Sequence, residues 1–175
     1  MKRWIIPALA AVMLFSASNS AHALISATLD VPVSYAFNDS DIETDGVSGT
    51  KIGISLPIFI GLALEKYEVT IKNAPGLSPI SYAVSMYDFY IDLPFPFLNL
   101  GLGAGIGKGD LTGDGVNQYG PVPLGQWFAT LGYPFLGLFD IHMGYHSISG
   151  KARKKGNPDI DMGATMYTVG FRVGF

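Results

Sequence analysis

The sequence has no cysteine, so no disulfide framework can hold its fold. It is also short of charge. Asp, Glu, Lys and Arg make up 14% of its 175 residues, against about a quarter in ordinary soluble domains. The one basic cluster, Lys151-Ala152-Arg153-Lys154-Lys155, is too small for a nucleic-acid surface, and the net charge is −3. After residue 23 there is no unbroken apolar run of the roughly 18 residues that a transmembrane helix needs. Yet 49% of the chain is hydrophobic. An apolar chain without such a helix has two outlets. It is a soluble β-protein with a very large core, or a membrane barrel in which apolar residues alternate with polar ones.

The N-terminus points to export. Lys2 and Arg3 precede an apolar run, Trp4 to Phe15, broken only by Pro7. A polar stretch and Ala21-His22-Ala23 follow, which is the small-x-small pattern of a signal-peptidase site. The run is too short for a transmembrane anchor. The expected organisation is therefore a signal peptide over 1–23, cleaved after Ala23, and a single domain over 24–175.

Period-two alternation dominates that domain. Ile25, Ala27, Leu29, Val31, Val33, Tyr35 and Phe37 fall on one parity, with Ser26, Thr28, Asp30, Pro32, Ser34 and Ala36 on the other. This predicts one long strand with an apolar and a polar face. Soluble strands are usually about 5–6 residues long. The last residues repeat the pattern, with Tyr167, Val169, Phe171, Val173 and Phe175 alternating with Thr168, Gly170, Arg172 and Gly174. Three proline-containing segments, Leu56-Pro57-Ile58-Phe59, Leu93-Pro94-Phe95-Pro96-Phe97 and Tyr133-Pro134-Phe135-Leu136, read as short turns, because proline cannot donate to a ladder. Four polar segments, 38–49, 73–79, 110–123 and 150–162, read as loops at the other end. Four loops and three turns separate eight strands, expected at 24–37, 50–57, 61–72, 80–93, 99–109, 124–133, 138–149 and 163–175. Aromatics are expected in two girdles. Phe59, Phe95, Phe97, Tyr133, Phe135 and Phe175 lie at the turn end; Phe37, Tyr82, Trp127, Tyr145 and Tyr167 lie at the loop end.

Alternation, turn spacing and a terminal aromatic together resemble the small eight-stranded outer-membrane β-barrels of the OmpA/OmpX type. They also resemble a less studied group of small proteobacterial outer-membrane proteins with proline-containing turns. The resemblance implies an all-β, antiparallel, up-and-down transmembrane barrel in the outer membrane of a Gram-negative bacterium, with both termini periplasmic. It further implies recognition of the last strand, through Tyr167, Phe171 and Phe175, by the outer-membrane assembly machinery. The remaining partners it implies are outer-membrane lipids and lipopolysaccharide, with no nucleic acid and a monomeric state.

If the apolar parity faces lipid, the opposite parity fills the lumen. The expected lumen network is Asp30, Lys66, Glu68, Asp88, Asp92, Asp140, His142, His146 and Arg172. In a barrel of eight strands such charges are expected to pair with one another. A narrow conduit gated by His142 and His146 is the functional alternative, because histidine changes charge near neutral pH. The fourth strand does not keep one parity, which suggests a bulge. In the fifth strand Gly101, Gly103, Gly105, Gly107 and Gly109 occupy every inward position, leaving room or letting a neighbour such as Phe128 fill it. Tyr145-His146-Ser147-Ile148-Ser149-Gly150 lies where some outer-membrane lipid A deacylases carry a catalytic His and Ser. Ile148 stands at the nucleophile position, however, no Glu follows Glu68, and His146 and Ser147 point to opposite faces. Asp110-Leu111-Thr112-Gly113-Asp114-Gly115 lacks the oxygen ladder of a calcium loop. Neither a metal nor a cofactor is expected. Lys151, Arg153, Lys154 and Lys155 are candidates for contacts with lipopolysaccharide phosphates. The expected function is a non-enzymatic outer-membrane barrel with a structural or surface-interaction role, with a narrow channel and a lipid A-modifying enzyme as alternatives.

Overall fold

The computed structural model describes residues 25–174 apart from 58, 74–76, 96, 115, 117–118, 136–138 and 154–158. The expected signal peptide, Phe175, Lys154 and Lys155 lie outside the described residues.

Among the described residues all regular structure is β, in nine strands. They are β1 (Ser26–Phe37), β2 (Thr44–Ser55), β3 (Ile60–Ile71), β4 (Ile80–Pro94), β5 (Asn99–Thr112), β6 (Val122–Phe135), β7 (Phe139–Ala152), β8 (Ile160–Asp161) and β9 (Ala164–Gly174). Consecutive strands pair antiparallel from β1 to β7, β7 pairs with β9, and β9 pairs with β1. That closes an eight-stranded barrel and leaves no free edge among those eight strands. The two-residue β8 adds to the loop end of β7. Ser26 pairs with Gly174, so both described ends of the chain lie at one end of the barrel. At the turn end Phe59 N–H donates to the Leu56 carbonyl and Phe95 N–H to the Leu98 carbonyl. β2 starts at Thr44, so the acidic first loop is shorter than the expected 38–49 and Asp45 belongs to a strand.

The wall has two sections of opposite polarity. In the lower section, nearer the turns, the outer face is apolar. Leu29, Val31, Ile52, Ile54, Leu62, Leu64, Tyr87, Phe89, Ile91, Leu131, Ile141 and Met143 are all exposed there. The inner face is polar, with Asp30, Lys51, Glu65, Asp88, Gln126, Asp140, His142 and His146 buried. In the upper section the faces exchange. Tyr35, Phe37, Tyr67, Val69, Ile71, Tyr82, Val84, Met86, Val122, Leu124, Ile148 and Met166 form a buried apolar core. Outside, Ser34, Ser48, Thr50, Lys66, Glu68 and Lys108 are exposed. On several strands both faces exchange at the same residue pair, while on β5, whose inward residues from 101 to 109 are all glycine, only the outer face changes, between Ile106 and Lys108. On β3 the outer face changes between Leu64 and Lys66 and the inner face between Glu65 and Tyr67. On β4 the steps are Tyr87 to Ser85 and Asp88 to Met86. On β9 they are Tyr167 to Thr165 and Thr168 to Met166. The apolar belt is roughly 20 Å tall at about 3.3 Å per residue and a tilt near 40°. The upper section is built like a soluble barrel, where each large apolar side chain contributes about 1.5–3 kcal/mol on burial.

Three expectations are corrected by this arrangement. The parity of β3 is the reverse of the expected one: Tyr67, Val69 and Ile71 point inward, and Lys66 and Glu68 point outward. Phe37 and Tyr82 belong to the inner core, not to an outer girdle. β4 carries no bulge, since its register with β3 and β5 is continuous; its apparent change of parity is the exchange of polarity along one uninterrupted inward face. A bulge does occur in β1, between Pro32 and Ser34. It turns Tyr35 and Phe37 inward although they share a parity with the outward Leu29 and Val31.

Candidate functional site

The lower lumen is packed with polar side chains that meet over glycines. Asp30 on β1 and His142 on β7 both register with Gly170 of β9, which stands between them. With no side chain at Gly170, His142 Nε2 lies 2.7 Å from Asp30 Oδ1. Its other nitrogen, Nδ1, is 2.9 Å from Asp140 Oδ1. Each ring nitrogen of His142 thus meets a carboxylate, one from β1 and one from its own strand. Asn99 donates to the second oxygen of Asp140.

A second cluster repeats the device. Asp88 on β4 and Gln126 on β6 both register with Gly105 of β5. The Gln126 amide donates to Asp88 Oδ1 at 2.7 Å and to Glu65 Oε2 at 2.8 Å. The Gln126 carbonyl accepts from His146 Nδ1 at 3.1 Å, and His146 Nε2 lies 3.3 Å from the Thr168 hydroxyl. Lys51 Nζ pairs with Asp88 Oδ2 at 2.7 Å and sits 3.4 Å from the centre of the Phe128 ring, which stacks on His146. Nearest the turn end, Arg172 donates to Asp92 Oδ1 at 2.8 Å, and the Ser55 hydroxyl donates to Asp92 Oδ2 at 2.7 Å. These ions are paired or hydrogen-bonded, as low-dielectric burial requires, with Arg172 Nε buried without a partner of its own.

Asp30, Asp88, Asp92, Asp140, His142, His146 and Arg172 therefore line the lower lumen in connected groups. Lys66 and Glu68 do not belong to it, because β3 turns them to the outer wall. In their place stand Lys51, Glu65 and Gln126, which the sequence analysis missed. Glu65 is one residue from Lys66, and the level of the polarity exchange would have revealed it. A cavity lined by Thr28, Asp30, Lys51, Phe128, His142 and Arg172 has a volume of about 20 Å³, room for about one water molecule. The inward glycines of β5 leave no open space, since the Phe128 ring lies over Gly103 and the Asp88 carboxylate over Gly105.

The outer wall carries the remaining candidates. Trp127, Tyr145 and Tyr167 form a row, with ring centroids 5.4 and 5.6 Å apart, at the top of the apolar belt. Phe171 lies lower, against Phe139 and Phe135. Tyr167 and Phe171 thus present the last strand's outward face. Lys151 and Arg153 are exposed at the loop end of β7, beside a shallow groove that also contains Asp161. Arg153 faces Asp159 at 3.7 Å. His146 is buried inside the barrel and Ser147 lies on the opposite face, so the two cannot act as base and nucleophile. Among the described residues no three His, Cys, Asp or Glu side chains are placed to hold a metal ion.

No protein-family model and no curated protein matches the chain. Solved structures do share its fold. Neisserial surface protein A superposes with a TM-score of 0.63 at 15% identity, covering 86% of this chain and 97% of that one. The N-terminal β-barrel domain of Pseudomonas aeruginosa OprF gives 0.50 at 16% identity over 86% and 97%. The outer membrane protein OprG from Pseudomonas aeruginosa gives 0.50 at 11% identity over 89% and 98%. The fold is that of the small eight-stranded outer-membrane β-barrels.

Proposed function

We propose that this barrel is a non-enzymatic, non-conducting integral outer-membrane protein. Its lower section is held by the bilayer and its upper section stands clear of it as a surface for interaction. The observation that carries this reading is the exchange of polarity at one residue pair on both faces of β3, β4 and β9. A soluble barrel has no use for the exposed belt of Leu, Ile, Val and aromatic side chains in the lower half, and a bilayer covers it. Short turns at one end and longer loops at the other support placing both termini on the periplasmic side, after removal of residues 1–23. A lumen cavity of about 20 Å³ argues against passage of solutes. The separation of His146 from Ser147 argues against lipid A deacylation.

Two measurements test the reading. Purified barrel reconstituted into planar bilayers is expected to give no reproducible openings; steady single-channel steps would refute it. Protease added to intact cells is expected to cut only the loop end, and cleavage confined to the turns would reverse the orientation.

A further inference from the structure

The first outward residue above the apolar belt is uncharged on most strands. It is Ser34 on β1, Thr50 on β2, Gly125 on β6, Ser147 on β7 and Thr165 on β9. On β3 and β5 it is a lysine. Lys66 pairs in register with Ser85 of β4, and Ser85 pairs with Lys108 of β5, so cation, hydroxyl and cation lie in one hydrogen-bonded row. The two lysines are about 10 Å apart across two strand spacings. Lys66 faces hydroxyls on both sides, Thr50 and Ser85. Lys108 is paired only loosely, with Asp110 at 3.3 Å, and its side chain is 61% exposed. The carboxylates stand one step further from the belt: Glu68, held by the Ser81 hydroxyl, and Asp110. Directly below the lysines the belt is notched. The outward residue of β5 between Leu102 and Ile106 is the small Ala104, and it floors a groove of about 330 Å³ walled by Leu62, Tyr87, Phe89 and Ile106.

We propose that this face of the barrel, β3 to β5, is a binding site for the bisphosphorylated headgroup of lipid A in the outer leaflet. Its two phosphates would sit on Lys66 and Lys108, with one acyl chain in the groove over Ala104. The inference rests on the outer-membrane placement proposed above. Two cations fixed on a rigid sheet at the edge of an apolar belt match a lipid with two separated anionic groups. The groove supplies apolar contact in line with them. A phosphate displaces Asp110 as the partner of Lys108 without burying either charge.

Native mass spectrometry of the refolded, detergent-solubilised barrel with added lipid tests the site. Wild-type protein is expected to retain lipid A in preference to phosphatidylglycerol, and to retain lipid A lacking one phosphate about tenfold less well. Lys66→Gln with Lys108→Gln is expected to lower retention of lipid A by a similar factor, and Ala104→Phe, which fills the groove, to lower it independently. Lys151→Gln with Arg153→Gln is expected to leave it unchanged. Heat-modifiable gel mobility verifies that each variant is folded. Unchanged retention by the folded double lysine variant overturns the proposal, as does equal retention of phosphatidylglycerol by wild type. Either result leaves the conductance and protease tests of the proposed function untouched.

Discussion

Gly170 and Gly105 do for the lumen what no polar residue does. Each lets two side chains from flanking strands meet across an intervening strand, Asp30 with His142 and Asp88 with Gln126. A methyl group at Gly170 would collide with the Asp30 carboxylate and the His142 ring, and one at Gly105 with the Asp88 carboxylate. Gly170→Ala and Gly105→Ala are each expected to destabilise the barrel by about 1–3 kcal/mol, although alanine suits a strand better than glycine. The urea midpoint of the protein in lipid vesicles reads the loss. Lys51 makes a different case. Its side chain is 6% exposed with the ammonium buried, and the side chain of its Asp88 partner is fully buried. Lys51→Met leaves that carboxylate uncompensated and is expected to cost about 3–5 kcal/mol. Lys51→Met with Asp88→Leu removes both charges and is expected to cost markedly less than the sum of the single changes, which the same titration checks as a double-mutant cycle.

At the scale of a strand, the bulge in β1 decides which storey Tyr35 and Phe37 serve. Val33 is the extra residue between Pro32 and Ser34. Deleting it joins Ser34 directly to Pro32 in the register they already hold, so the strand alternates without a bulge and both rings stay inward. That deletion is expected to leave the loop end as resistant to trypsin in vesicles as the wild type, whereas Tyr35→Ser with Phe37→Ser, which empties the upper core of two large side chains, is expected to leave the lower section resistant and the loop end cleavable, a pattern that limited proteolysis shows directly. The same element marks how far the sequence could be read. Strand number, the first two proline turns and the common end of both termini follow from alternation and from where proline and glycine fall; Tyr133, Pro134 and Phe135, read as a third turn, belong to β6, and Leu136 lies outside the described residues. The inward residues of β7, Asp140, His142 and His146, follow too, because β7 keeps one parity through the belt. β3 misleads: Tyr67, Val69 and Ile71 were assigned to lipid and Lys66 and Glu68 to the lumen, on a rule that holds only below the exchange of polarity. Partners were beyond reach for another reason. Asp30 and His142 are 112 residues apart, and only the register across β9 brings them together. A one-residue slip in that register would turn every side chain to the other face, and single-strand periodicity carries no register.

For the whole molecule, closure and filling act together. Eight strands enclose a space that side chains just occupy, and here they occupy it in two ways, with paired ions below and apolar contacts above. The lower plug holds because each ion has a counter-ion or donor, so emptying it should be harder than trimming it. Phe128→Ala together with Lys51→Ala removes the ring and the ammonium that face the small cavity beside His142 and Arg172. This variant is expected to give brief, small openings in planar bilayers that the wild type is expected to lack, while the apolar upper core keeps the mean current near zero.

The paired exchange of polarity also makes the molecule's response to bilayer thickness one-sided. Raising the belt by one residue pair would place Lys66 and Lys108 in hydrocarbon, so the upper boundary is stiff. At the other rim the exposed rings of Phe59 and Phe97 continue the apolar outer surface, so hydrocarbon can extend over them without burying a charge. A thicker or thinner membrane is therefore accommodated on the turn side alone, and the loops keep a constant height above the leaflet on their own side whatever the lipid composition beneath them.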